Sequence, residues 1–146
     1  DPQISLATHS ARAREILQAQ HAERTHTLKS QNFSHPTRGP AVRVFVDHQI
    51  SPATMDAFFH SMLLDTQKFS YDSRSELRDY VFGSAEIVGE ILTKISQPEP
   101  ARAQTALPAA RHLARLFQIT NFLRDVHEDR TQLSRVYLPT TTLEKF

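Results

Sequence analysis

The sequence predicts an all-α protein, a helical bundle built from four or five helices. Only three of its 146 residues are glycine, and tight β-hairpins depend on glycine for positive φ angles. Apolar residues recur at helical spacing in several segments. A Ser-Pro dipeptide, or two prolines close together in the sequence, marks the boundaries between these segments. With 39% hydrophobic and 23% charged residues, we expect residues 1–146 to form a single all-α domain.

The composition also excludes several classes of protein. The absence of cysteine excludes a disulfide scaffold, a thiolate zinc site and a cysteine nucleophile. The 17 basic and 16 acidic residues nearly balance, so nothing indicates a nucleic-acid partner. The chain shows no apolar run near the roughly 20 residues that span a bilayer and no signal-peptide pattern. We therefore expect a cytoplasmic location.

The first third of the chain carries weaker signals. Residues 3–31 show a weak helical pattern, and residues 32–40 contain two prolines and a glycine, which predict a connector. The alternating valines of residues 41–48 are typical of a strand. However, the segment is short and no partner strand follows, so we predict a helix there.

The middle of the chain has clear helix starts. Ser51 is the expected N-cap of one helix, with Pro52 in its first turn, where the missing N–H costs nothing. Ser73 and Glu76 form a capping box at the start of a helix that covers residues 74–96. The following QPEP stretch ends this helix because proline cannot continue the hydrogen-bond ladder.

A last long helix is predicted from Ala109 to Arg130. Its apolar residues cover most of the circumference at about 100° per residue, so the helix should be buried. Four polar side chains nevertheless fall within one sector of about 80° and form a polar stripe. The stripe consists of Gln118, Asn121, Asp125 and Asp129. Two interior carboxylates four residues apart repel each other, and they need cations.

The polar stripe suggests a metal site. Carboxylate and amide oxygens suit Mg²⁺, and Arg124 beside the stripe carries a guanidinium that matches a phosphate oxygen. The spacing therefore predicts a diphosphate held by metal at the mouth of an apolar bundle. The alternative is an exposed acidic helix end.

The helix over 74–96 offers a facing wall of small residues with one phenol, Tyr80. Small residues let a backbone or a slender ligand approach closely, and the alternative is plain helix packing. The small residues are Gly83, Ser84, Ala85, Val88 and Gly89. Glu86 is unusual on such a face, and we expect it to point sideways to solvent.

Two stretches resemble the signatures of squalene and phytoene synthases. The stretch DYVFGSAEIVG (79–89) resembles the pattern YCYxVAGxVG, and FQITNFLRDVHEDRTQLSRVYLP (117–139) resembles FQxTNILRDVxEDxxxGRxYLP. His35-Pro36 and SMLLDTQKFSY (61–71) are also similar to stretches of this family. The resemblance covers roughly residues 33–139, and its later signature is specific.

The resemblance implies an enzyme of the all-α isoprenoid synthase type. Such enzymes join two allylic prenyl diphosphates (farnesyl or geranylgeranyl diphosphate) head to head through a cyclopropylcarbinyl diphosphate, using Mg²⁺ bound by two Asp-rich motifs. NADPH is needed only if the product is squalene. The partners implied are the prenyl diphosphates, with peripheral membrane contact as a further option, and oligomeric state is not indicated.

The resemblance also implies roles for individual residues. Asp125 and Asp129 become metal ligands assisted by Asn121, and Tyr80 stands near the reacting carbons. Arg124 acts with the two acids at the catalytic site. The implied substrate-binding residues are Gln118, Asn121, Arg124, Ala85, Val88 and Gly89.

The sequence departs from the family pattern at several positions. Ser84 and Glu86 replace Val and Gly, Val81 and Phe82 replace Cys-Tyr, and Ser134 replaces the Gly before RxYLP. No Asp-x-x-x-Asp occurs before residue 65, so we expect the chain to be the central part of a longer enzyme. By itself it would then hold half a metal site and be inactive.

Two other interpretations of the sequence remain open. One is a terpene synthase acting on a single diphosphate, which the RxYLP ending and the SAEIVG helix disfavour. The other is a non-catalytic helical module that binds a prenyl lipid or a partner and lacks the first Asp-rich motif.

Overall fold

The computed structural model describes residues 2–139, and the side chains of residues 8–139. Within this part the chain is helical and forms no strand, and one isolated parallel bridge joins Ser70 to Val136. The all-α prediction is confirmed. The helices are α1 (Pro2–Ser30), α2 (Arg38–Asp47), α3 (Pro52–Leu64), α4 (Arg74–Val81), α5 (Ile87–Ile95) and α6 (Pro100–Gln132). None of the described helices has the length and apolar character needed to cross a bilayer.

The predicted helix starts in the middle of the chain are confirmed by their caps. The Ser51 hydroxyl accepts a hydrogen bond from the Ala53 N–H at 3.2 Å, one residue after Pro52 opens α3. At the start of α4, the Ser73 hydroxyl accepts the Glu76 N–H at 3.2 Å. The Glu76 carboxylate in turn accepts the backbone N–H of Asp72 at 2.9 Å. The segment with alternating valines is helix α2, as predicted.

The predicted helix over 74–96 contains a π-turn (Phe82–Glu86) between α4 and α5. Such a turn inserts one residue into the helical ladder, and it often occurs at functional sites. Gly83 lies in it, against α3: a Cβ at this position would lie 2.2 Å from the Ser61 hydroxyl and 2.3 Å from the Ala57 carbonyl oxygen. Ser61 also donates to the Tyr80 carbonyl oxygen at 3.0 Å. The glycine is therefore what lets α3 and the π-turn touch.

Helix α6 begins earlier than the sequence suggested. It starts at Pro100 rather than Ala109, and Pro108 lies inside it. Proline is well tolerated in a first turn, so Pro100 opens the helix, while Pro108 removes one backbone donor without ending it. The expectation that α6 is buried nearly all round was wrong for the described part of the chain, where Phe122 is its only buried residue. Its exposed apolar side chains are Leu113, Leu116, Phe117, Leu123 and Val126.

The expectation that Glu86 points to solvent was also wrong. Glu86 is only 4% exposed, and it accepts a hydrogen bond from Arg115 Nε at 2.7 Å. Glu90, one turn later and 6% exposed, accepts from Arg111 Nε at 3.1 Å and pairs with Lys94 at 2.8 Å. Burial raises the pKa of Glu90, but the hydrogen bonds from Lys94 and Arg111 outweigh it and leave the pKa below its ordinary value.

These two acidic residues therefore tie the wall formed by the π-turn and α5 to helix α6. A buried carboxylate is tolerated only when it is paired, so the arginines of α6 must face this wall.

The pairing of buried Glu86 with Arg115 predicts that removing the Arg115 guanidinium strongly lowers the free energy of unfolding. Arg115→Met should lower the free energy of unfolding by about 2 kcal/mol, because it leaves the Glu86 carboxylate buried and unpaired. The matched control is Arg102→Met on the same helix, whose partner Glu99 is 80% exposed, and this change should cost less than about 0.5 kcal/mol. Urea denaturation followed by circular dichroism measures both, and equal losses would contradict the assignment.

Candidate functional site

The four residues of the polar stripe lie on one continuous helix, α6, and all four are partly buried. Asp125 has a guanidinium beside it: Arg124 Nε and Nη2 donate to its two carboxylate oxygens, both at 2.6 Å. This bidentate hydrogen bond holds the pKa of Asp125 below its usual range. The Arg124 side chain remains 69% exposed, so it lies at the open edge of the stripe.

Asp129 has the opposite electrostatic environment. Burial and the negative charge of Asp125 raise the pKa of its carboxyl group above the usual value, and Arg135 only partly offsets them. The two carboxylates therefore act on each other across one helical turn. Asp125 is paired with Arg124, so Asp129 is the carboxylate of the stripe whose charged form is disfavoured by its surroundings.

The donor set of the stripe fits Mg²⁺ as a partial site. Two carboxylates and the Asn121 amide supply hard oxygen ligands, and Mg²⁺ is usually bound by one or two carboxylates together with water and substrate phosphates. Within residues 8–139, no three His, Cys, Asp or Glu side chains are arranged to hold a metal by themselves. The remaining ligands would therefore come from outside this set.

A cavity of about 390 Å³ lies beside the stripe, between α5 and α6; we call it the α5–α6 groove. It brings together four of the residues predicted to bind substrate, Ala85, Val88, Gly89 and Gln118. Gly89 is needed for this packing, since a Cβ there would lie 2.8 Å from the Ala110 carbonyl oxygen. The rest of the lining is mostly apolar: Ser84, Leu92, Thr93, Ala110, Leu113, Ala114 and Phe117. Asn121 and Arg124 do not line the groove.

Tyr80 lies outside the groove, in an aromatic group that we call the tyrosine cluster (Tyr71, Tyr80, Tyr137 and Phe122). The Tyr80 side chain is 3% exposed, and its ring centroid lies 5.2 Å from that of Tyr71 and 5.6 Å from that of Tyr137. Tyr137 stacks on Phe122 of α6 with centroids 4.3 Å apart. The structure therefore separates the predicted site into an apolar groove and a buried aromatic cluster, joined through α6.

The sequence reasoning missed Asp65, which lies at the centre of the polar contacts of this cluster. Tyr80 donates its hydroxyl hydrogen to Asp65 Oδ2 at 3.0 Å, and the Tyr137 hydroxyl lies 3.4 Å from Oδ1. Burial raises the pKa of the Asp65 carboxyl, although Tyr80, Arg135 and Tyr137 oppose the shift. The sequence signal for Asp65 was its position within the stretch SMLLDTQKFSY. Neighbouring residues in the sequence gave no indication that Tyr80, Tyr137 and Arg135 would contact it.

The segment after α6 connects the polar stripe to the cluster. The Arg135 N–H donates to the Asp129 carbonyl oxygen at 2.9 Å, and its guanidinium contacts the backbone carbonyl of Asp65. The Val136 N–H donates to the Phe69 carbonyl oxygen at 2.8 Å. Ser134 adopts a φ of 53°, in the left-handed region that favours glycine, which explains why the family pattern has Gly at this position.

Comparison with known proteins gives the following matches. A family model described as squalene/phytoene synthase matches residues 3–146. A curated protein named 15-cis-phytoene synthase, from Pantoea ananas, is 29% identical over 101 residues, which are 69% of this chain. The chain spans about a third of the length of this relative, since the match covers 31% of it. No solved structure matches the chain significantly.

The interaction between the two stripe carboxylates can be tested directly. Asp125→Asn should lower the pKa of the Asp129 carboxyl, because it removes the neighbouring negative charge that raises it. Glu128→Gln should lower it less, since Glu128 contributes less to the shift. Carbon-13 NMR titration of labelled aspartate carboxyl groups measures both. Equal pKa values in the two variants would show that the charge of Asp125 does not raise the pKa of Asp129 more than the charge of Glu128 does.

Proposed function

The chain belongs to the squalene/phytoene synthase family, and on that premise we propose that it carries part of the active site of a Mg²⁺-dependent prenyltransferase. The proposed reaction joins two allylic prenyl diphosphates, farnesyl or geranylgeranyl diphosphate, head to head through a cyclopropylcarbinyl diphosphate. The observation that supports this proposal is the order of residues along α6. Gln118 lines an apolar groove, and the acidic pair Asp125 and Asp129 follows on the same helix.

The polar stripe is the proposed diphosphate end of the site. Asp125 and Asp129, with the Asn121 amide, would hold Mg²⁺, which supplies positive charge to neutralise a leaving diphosphate. Arg124 has an exposed guanidinium at the edge of the stripe and can donate to diphosphate oxygens in the planar geometry that such oxygens accept. The carboxylates thus provide negative charge for the cation, and Arg124 provides a fixed donor for the anion.

The α5–α6 groove is the proposed site of a prenyl chain. Its volume of about 390 Å³ lies within the range typical of ligand sites, and its lining is largely apolar. The small side chains of Ala85, Gly89 and Ala114 leave room for a slender hydrocarbon. An allylic cation needs protection from water, and the apolar lining provides it on the side of the groove that α5 and α6 cover.

A second candidate function is a non-catalytic module that binds a prenyl lipid or a partner. The observation that favours it is that the described residues do not bring three acidic or histidine side chains together as a metal site. This module would use the same groove, so binding alone does not separate the two functions. Turnover separates them.

The catalytic proposal predicts that the stripe is essential for turnover. In the whole protein that carries this chain, Asp129→Asn should reduce the incorporation of labelled farnesyl or geranylgeranyl diphosphate into hydrocarbon by at least about 100-fold, because it removes a ligand of the diphosphate-bound metal. The control is Glu128→Gln, which removes an exposed carboxylate next to Asp129 in sequence and should leave turnover nearly unchanged. Full turnover in Asp129→Asn would overturn the site. Prenyl diphosphate binding without any turnover by the whole native protein that carries this chain would favour the second function.

The groove proposal predicts a separate effect on substrate binding. Val88→Trp should raise the KM for a prenyl diphosphate roughly tenfold, because the indole fills a groove that the hydrocarbon would occupy. Val88 is 36% exposed, so the larger side chain does not overpack the core. Leu116→Trp is the matched control, since Leu116 is exposed on α6 outside the groove. Steady-state kinetics gives both values, and equal KM values in the two variants would exclude the groove.

A further inference from the structure

Helices α5 and α6 run antiparallel along the α5–α6 groove. Glu86 pairs with Arg115 and Glu90 pairs with Arg111, so residues later on α5 lie opposite residues earlier on α6. Two helices that are joined by a short connection, here residues 96–99, are expected to run in this way. The groove between them therefore has one end near the polar stripe and another end near the connection.

The end of the groove near the connection is lined by Thr93 of α5 and Ala110 of α6. The two helices touch here, since a Cβ at Gly89, one turn before Thr93, would lie 2.8 Å from the Ala110 carbonyl oxygen. Beyond Thr93, α5 continues for only two residues, about 3 Å, before the connection leads across to α6. The groove is therefore limited at this end.

The other end of the groove leads toward the polar stripe. Gln118 lines the groove, whereas Asp125, seven residues later on α6, does not. A diphosphate held at Asp125 and Asp129 through Mg²⁺ would occupy about 5 Å, roughly one turn of α6. A prenyl chain that runs from this diphosphate into the groove would therefore begin level with Asn121.

The distance from this starting level to Ala110 can be compared with the lengths of prenyl chains. A helix rises about 1.5 Å per residue, so Asn121 and Ala110 lie about 16 Å apart along α6. An extended chain advances about 1.25 Å per C–C bond, so three isoprene units span about 14 Å and four span about 19 Å. The third unit would end before Ala110, and the fourth unit would lie beside Ala110 and Thr93.

We propose that the α5–α6 groove selects the twenty-carbon chain of geranylgeranyl diphosphate, and that Ala110 is the specificity-determining residue at its far end. This inference rests on the proposed prenyltransferase function. The fourth isoprene unit gains apolar contacts that a fifteen-carbon chain leaves unmade, and the small side chain of Ala110 leaves room for it. A fifth unit would meet the connection between α5 and α6.

A series of unreactive prenyl thiodiphosphates tests the length of the groove without turnover. In the whole protein that carries this chain, with Mg²⁺ present, affinity should rise at least about tenfold from fifteen to twenty carbons. It should not rise further at twenty-five carbons. Non-specific apolar binding would instead strengthen with every added unit. A steady rise through twenty-five carbons, or a maximum at fifteen, would overturn the proposal.

The variant Ala110→Leu should close the far end of the groove. It should weaken binding of the twenty-carbon analogue about tenfold and leave the fifteen-carbon analogue within about twofold, which moves the maximum to fifteen carbons. Ala109→Leu is the matched control, because Ala109 is exposed and lies outside the lining, and it should leave the series unchanged.

A second variant approaches the same end from α5. If circular dichroism shows that Ala110→Leu does not fold, because Ala110 packs against Gly89, then Thr93→Leu should produce the same change in the series. In a folded variant, an unchanged series or an equal loss of affinity for both chain lengths would overturn the role of the far end.

Turnover separates this inference from the proposed function. In the native protein, kcat/KM for geranylgeranyl diphosphate should exceed that for farnesyl diphosphate at least about tenfold, and Ala110→Leu should reverse this preference. Faster turnover of farnesyl diphosphate by the native protein would overturn the chain-length assignment alone. An affinity maximum at twenty carbons without any turnover would overturn the proposed function alone.

Discussion

The pairing of two buried carboxylates with two arginines determines how the long helix α6 lies in this protein. Glu86 and Glu90 are buried one turn apart, and neither would be tolerated without a cation. Helix α6 meets this requirement with Arg115 and Arg111, also one turn apart. Because both pairs must form together, they fix the rotation and the register of α6 against the wall formed by the π-turn and α5.

This rotation has consequences further along the same helix. At about 100° per residue, positions 7, 11 and 14 residues after Arg111 fall within about 40° of it, and these are Gln118, Phe122 and Asp125. Asp129 falls on the same line. The constraint that pairs the arginines thus turns Gln118 toward the groove and Phe122 into the core. It also places the stripe carboxylates beside the segment that carries Arg135.

Structural features that depend on residues close together in the sequence could be predicted. Features that depend on contacts between residues far apart in the sequence could not. The caps at Ser51 and Ser73 were predictable because each capping hydroxyl and the backbone N–H that donates to it lie within three residues. The burial of Glu86 was not, since Arg115 lies 29 residues away, and neither was the contact between Asp65 and Arg135, which lie 70 residues apart. Periodicity showed that α6 is apolar on most sides. It could not show which of those sides the described helices cover.

The most direct test of the account is where a divalent cation binds. Mn²⁺, added with an unreactive prenyl thiodiphosphate, should broaden NMR signals of nearby nuclei, and the account predicts that broadening centres on Asn121, Asp125 and Asp129. The side-chain amide of Gln118 should broaden next, since it lies on the same face one turn before Asn121. Broadening centred instead on exposed acids elsewhere, such as Glu99, with the Asn121 amide unaffected, would contradict the account.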